Sequence, residues 1–211
     1  IYVPYSQAVP LKYAIDAGLL PPRARVSLSL LTGVLMLGVG SRLFKGKYHL
    51  FGQGLVGGGL AVLYFSIFAA FNFYGFFAQV PALGLMILVT VSAGLLAIRF
   101  DSMLVALLGL IGGYGTPIML STGVVNIPGL YTYLLLLSSG VFLTATRKNW
   151  HLVNALSILL TYVLAVVALI GSFEEWRFWQ VMPFFIAFFV LFSTMTFVHN
   201  LLRKKESNLL E

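Results

Sequence analysis

The sequence predicts an all-α protein, a polytopic transmembrane bundle of about seven spanning helices in antiparallel hairpins. Three observations carry that expectation. Of 211 residues, 60% are hydrophobic and only 9% charged, whereas a soluble domain carries roughly 25% charge. The apolar residues fall in long blocks rather than in alternation, as they do when the solvent is hydrocarbon. Short connections that collect Arg and Lys separate the blocks, which is where membrane loops concentrate basic charge. A mean hydropathy of +0.98 agrees.

Residues 1–25 read as an outer-side lead-in or the remnant of a preceding helix. Ile1–Leu20 lacks the basic start, apolar core and small-residue cleavage site of a signal peptide. With Ile1 in first place, the chain reads as an internal piece of a longer protein. The bundle occupies residues 26–202. Its spans are expected at Val26–Phe44, Leu50–Phe73, Val80–Ile98, Ser102–Leu120, Gly129–Thr146, His151–Gly171 and Phe178–Leu202. Pro21-Pro22 suits the first helix start. Links as short as Arg99–Asp101 and Arg147–Trp150 force neighbours to run antiparallel and leave no room for a soluble catalytic domain. Residues 203–211 form a basic tail.

Basic residues divide unequally between the two sides. Arg42, Lys45, Lys47, Arg99, Arg147, Lys148, Arg203, Lys204 and Lys205 share one side, nine in all, and Lys12, Arg23, Arg25 and Arg177 share the other. The excess of Lys and Arg marks the cytoplasmic side. The N-terminal segment is then expected outside and the tail inside. The net charge of +7 therefore reads as topology and not as nucleic-acid binding. Arg42, Arg99, Arg147 and Arg203 recur 57, 48 and 56 residues apart, the pattern of a helical hairpin used three times with a last helix added.

Candidate chemistry is sparse. Without cysteine, disulfides, thiolate metal sites and thiol catalysis are excluded. No Asp, Glu, Lys or Arg lies at the centre of a predicted span, which argues against a proton relay, since such groups are placed at membrane depth only for function. His49, His151 and His199 fall near the cytoplasmic interface and read as helix-end residues, not as a metal set. No catalytic residue, metal site or cofactor is expected. Asp101 is expected to cap the fourth helix, with Arg99 beside it. Trp150, Trp176, Trp179, Tyr114, Tyr131 and Tyr133 read mainly as interfacial belt residues.

Glycine is the informative residue type. Gly54, Gly57, Gly58 and Gly59 in the second span, and Gly109 in the fourth, are expected to let helix backbones approach closely, as Gly54/Gly58 and Gly109/Gly113 have small-xxx-small spacing. In the fourth span Pro117 removes a backbone donor and clashes with the carbonyl of Gly113, while glycines loosen the same turn. Gly112 lies ten residues past Ser102, roughly 15 Å deep at 1.5 Å per residue. A kink or short unwound stretch is expected there. Either it only packs, or Gly112, Gly113, Tyr114, Thr116 and Pro117 form a mid-membrane ligand pocket, with Tyr114 and Thr116 as its polar groups.

Several stretches resemble a bacterial membrane-protein family catalogued as domain of unknown function 2339. They are Leu11-Lys12-Tyr13-Ala14-Ile15-Asp16-Ala17-Gly18-Leu19-Leu20, Gln53-Gly54 with Gly57-Gly58-Gly59-Leu60-Ala61-Val62-Leu63-Tyr64, Arg99-Phe100-Asp101-Ser102, and Leu108 through Gly123. The resemblance covers roughly Leu11–Arg147. It implies a longer protein with many more spans, often behind a cytoplasmic coiled coil, and it supplies no catalytic residues. The expected function is a non-enzymatic scaffold or accessory subunit. Its partners would be the lipid bilayer together with other membrane subunits or the remainder of a longer chain. The alternative is a carrier or channel for a small solute or lipid, built around a broken fourth helix.

Overall fold

The computed structural model describes residues 21–44, 48–121, 127–145, 148, 150–171 and 178–207. Among them the chain forms seven α-helices and no strand: α1 Pro22–Leu43, α2 His49–Asn72, α3 Gln79–Phe100, α4 Met103–Met119, α5 Ile127–Ala145, α6 His151–Gly171 and α7 Phe178–Ser207. The lead-in at 1–20, the connections at 45–47, 122–126 and 172–177, and Arg147 lie outside the described residues.

Each helix follows an apolar block, and the differences from expectation are at the ends. α1 starts at Pro22, because Pro21 is extended (φ −61°, ψ 151°) and Pro22 enters the first turn, where a missing N–H costs nothing. α7 continues through Ser207, so residues 203–207 of the expected tail are helical. α1, α2, α3 and α6 are each long and apolar enough to cross a membrane. α4, at 17 residues, rises about 25 Å, the short end of the spanning range.

Neighbours in the chain pack together from α1 to α6, whereas α7 packs chiefly on α5. α1 lies along α2, α2 rests on α3 and α4, and that hairpin occupies the middle of the bundle. α5 meets α3, α4, α6 and α7, while α6 also reaches α4. Val56, Leu60, Met86, Ala93, Val105, Leu134 and Phe188 are among the core residues at these contacts. Large apolar side chains such as Leu31, Phe65, Leu88, Ile118 and Phe189 point outward, as they do where the surrounding medium is lipid.

Specific contacts fix which helix ends lie together. Phe44, after α1, stacks on Phe100 at the end of α3, with ring centroids 4.3 Å apart. Lys148, after α5, pairs with Asp101 at 2.9 Å. At the opposite end the Gln79 side-chain amide donates to the Leu120 carbonyl at 2.9 Å, covering an orphan acceptor at the end of α4. Arg42, Arg99 and Lys148 therefore share one end of the bundle, and α1 begins at the other.

The turn between α3 and α4 corrects the capping expectation. Asp101 adopts a left-handed conformation (φ 52°, ψ 42°) as the C-cap of α3, and its N–H donates to Ala97. Ser102 is the N-cap of α4, its hydroxyl accepting from the Val105 N–H at 3.4 Å. The reversal takes only two residues. Asp101 must close one helix in a conformation that Asp tolerates better than most residues, which leaves Ser102 to open the next.

Candidate functional site

The sequence directs attention to Gly112–Pro117, and there α4 is not unwound. It stays helical from Met103 to Met119 with Pro117 inside it. The reason lies on α5. Pro117 cannot donate to the carbonyl of Gly113. That carbonyl instead accepts the hydroxyl of Tyr133 at 2.6 Å. One turn away, the Thr116 hydroxyl donates to the Gly112 carbonyl at 2.9 Å. A backbone acceptor left bare at this depth would cost several kcal/mol; a tyrosine from the neighbouring helix satisfies it in place.

The space beside these glycines holds aromatic rings. Tyr64 of α2 lies against Gly112 so closely that a Cβ there would collide with the ring. Its hydroxyl is 2.7 Å from that of Thr90. Thr90 in turn donates to the Met86 carbonyl at 2.9 Å, which leaves Tyr64 as the donor. A Cβ at Gly113 would stand 3.0 Å from Thr90 and 3.1 Å from Leu137, so α3, α4 and α5 converge at that point.

Tyr114 points the other way, into a cluster of hydroxyls. Its own hydroxyl lies 2.6 Å from that of Thr161, 2.9 Å from that of Ser157 and 3.4 Å from that of Ser138. Ser138 and Thr161 are 3.0 Å apart, and Thr161 donates to the Ser157 carbonyl at 2.7 Å. All four residues are buried, as is Thr116; Pro117 is half-buried. Among the described residues every buried side-chain nitrogen or oxygen has a hydrogen-bond partner. Hydroxyls that satisfy one another and the backbone tie α4, α5 and α6 together. Among the described residues no three His, Asp or Glu gather as a metal site would need.

Tyrosines read mainly as belt residues are core residues instead. Tyr114, Tyr131 and Tyr133 are all buried, and the Tyr131 hydroxyl donates to the Ala165 carbonyl at 2.7 Å. Trp179, at 78% exposed, keeps an outward position, and Trp150 packs partly against the core. Trp176 lies outside the described residues.

The packing glycines form a seam that the second span alone does not reveal. A Cβ at Gly52 would stand 3.0 Å from the Gly40 carbonyl oxygen and 3.0 Å from the Phe44 nitrogen. At Gly59 it would be 3.0 Å from the Gly33 oxygen, and at Gly58 3.0 Å from Met36. Gly57 faces Leu108 of α4, and Gly109 faces Ala93 of α3, where a Cβ would come within 2.6 Å of the alanine's own. Gly54 meets nothing within 4 Å; the role expected of it falls to Gly52. The missed partners are Gly33 and Gly40 of α1. Their signal is a spacing of seven that repeats in Gly52 and Gly59, two turns on each helix.

A family model described as a predicted membrane protein (DUF2339) matches residues 8–206. That match extends the resemblance past Arg147 through α6 and nearly all of α7. No curated protein and no solved structure matches the chain.

Proposed function

The chain belongs to the DUF2339 family of predicted membrane proteins, and from that premise we propose that it is a non-enzymatic scaffold or accessory subunit of a membrane complex. The observation that carries this reading is the filled region around Gly112–Tyr114. Tyr64 fills the space beside Gly112, and the Tyr133 hydroxyl satisfies the Gly113 carbonyl that a solute site there would need free. The outward face of α1, with Leu28, Leu31, Leu35 and Val39 exposed, suits contact with further membrane helices, either other subunits or the rest of a longer chain. The location that fits the basic end at Arg42, Arg99 and Lys148 is a bacterial inner membrane with that end in the cytoplasm.

The experiment that separates scaffold from carrier uses the absence of native cysteine. Thr116→Cys and, as an exposed reference, Ser121→Cys are each labelled in proteoliposomes with a membrane-impermeant maleimide. A scaffold leaves Thr116→Cys protected while Ser121→Cys reacts, and the full-length protein in mild detergent carries a stoichiometric membrane partner. Labelling of both positions at similar rates supports the carrier built on α4 and removes the scaffold reading.

A further inference from the structure

α3 and α5 do not close against each other along their whole length. Toward the Arg99 end they separate and leave a cavity of about 410 Å³. Its floor is α4, at Ala106, Gly109 and Leu110, and its walls include Val91 and Leu95 of α3 and Leu136 of α5. Gly94 and Gly140 also line it, and a Cβ on either would meet nothing within 4 Å. The lining residues farthest from the Arg99 end are Ile87 of α3 and Tyr133 of α5. Ile98 and Thr144 line it at the end nearest Arg99.

Two dimensions identify the occupant. From Ile87 to Ile98 the lining of α3 rises about 16 Å, which is the hydrocarbon depth of one leaflet, about half of 30 Å. A spanning helix of another subunit would need a groove through both leaflets. A single acyl chain needs only this one, and a volume near 410 Å³ holds roughly a dozen groups the size of a water or methylene, at about 30 Å³ each.

The second dimension is charge. Arg99 stands one turn beyond Leu95 on the stripe that Val91 and Leu95 begin, and it is exposed. Lys148 lies at the same end, held by Asp101 at 2.9 Å. Asp101 offsets one of these cations, so Arg99 is the one set to meet a headgroup phosphate.

We propose that the cleft between α3 and α5 is a specific site for an anionic phospholipid, with one acyl chain lying against Gly94, Gly109 and Gly140 and the phosphate at Arg99. The site does not depend on whether the protein acts as a scaffold.

The test is native mass spectrometry of the intact chain, released from nanodiscs containing equal amounts of phosphatidylglycerol and phosphatidylcholine. The wild type retains phosphatidylglycerol selectively. Arg99→Gln lowers that selectivity roughly fivefold, the factor one basic residue supplies near an anionic headgroup. Arg23→Gln, at the other end of α1, leaves it unchanged. Gly140→Leu fills the cleft, and retention of both lipids falls while the melting temperature holds. Equal retention of the two lipids by the wild type overturns the proposal. So does equal sensitivity to Arg23→Gln, or a Gly140→Leu variant that still keeps its lipid. Formation of a disulfide dimer by Gly140→Cys would assign the cleft to a second copy and overturn it as well.

Discussion

The hydroxyl of Tyr133 donates to the carbonyl oxygen of Gly113 at 2.6 Å, the acceptor that Pro117 leaves without its intrahelical partner. The two residues sit on different helices, α5 and α4, and the bond lets a proline remain inside a continuous spanning helix. Tyr133→Phe is expected to lower stability by about 2–4 kcal/mol, since hydrogen bonds between membrane helices average about 0.6 and reach about 1.7 and an abandoned buried acceptor adds about 1–3. Pro117→Ala restores the intrahelical donor, so the loss should shrink in the double variant. A double-mutant cycle of unfolding free energies in detergent measures that coupling.

Gly52 and Gly54 differ by two positions and should behave oppositely. A methyl at Gly52 meets backbone atoms of Gly40 and Phe44 at 3.0 Å, which cannot move aside without parting α1 from α2. Gly52→Ala is therefore expected to destabilise by about 1–3 kcal/mol, the range for overpacking. Gly54→Ala enters open space and should stabilise by up to about 1 kcal/mol through helix propensity. Thermal unfolding of both variants in one detergent compares them.

Tyr114→Phe removes one donor from the cluster with Ser138, Ser157 and Thr161. Thr161 keeps its bond to the Ser157 carbonyl and stays close to Ser138, while the Ser157 hydroxyl loses its contact with Tyr114. A loss of about 1 kcal/mol is expected, smaller than that for Tyr133→Phe. Chemical denaturation of the two variants side by side ranks them.

At the α3–α4 turn the backbone conformation of Asp101 outweighs its charge. The Asp101–Lys148 pair is largely exposed on the carboxylate side, at 66%, and exposed pairs contribute about 0–1 kcal/mol. Lys148→Ala should thus change stability little. Asp101→Val forces a β-branched residue into φ 52°, costing about 1–2 kcal/mol. Asp101→Gly should be close to neutral. Melting temperatures of the three variants decide whether strain or charge dominates.

Helix number, order and approximate bounds were legible because a chain crossing hydrocarbon must write each span as an unbroken apolar block. His151–Gly171 emerges with the bounds predicted. What could not be read were relationships between blocks. That Asp101 closes α3 while Ser102 opens α4 depends on a single left-handed residue. That Gly52 packs and Gly54 does not depends on where Gly33 and Gly40 of α1 come to lie. Tyr131 and Tyr133 stand near a helix end in the sequence, as belt residues do, yet their hydroxyls reach carbonyls 34 and 20 residues away. Pro117 with its neighbouring glycines foretells a weak turn; the tyrosine that repairs it lies beyond any local signal.

Hydrogen–deuterium exchange along α4, in the full-length protein in nanodiscs, tests most directly that this helix is closed and packed. The amides from Leu110 to Thr116 should be protected for hours, in step with the core of α3. Exchange within seconds at Gly113–Thr116, with α3 still protected, would mean that water reaches an opened turn and would contradict the account.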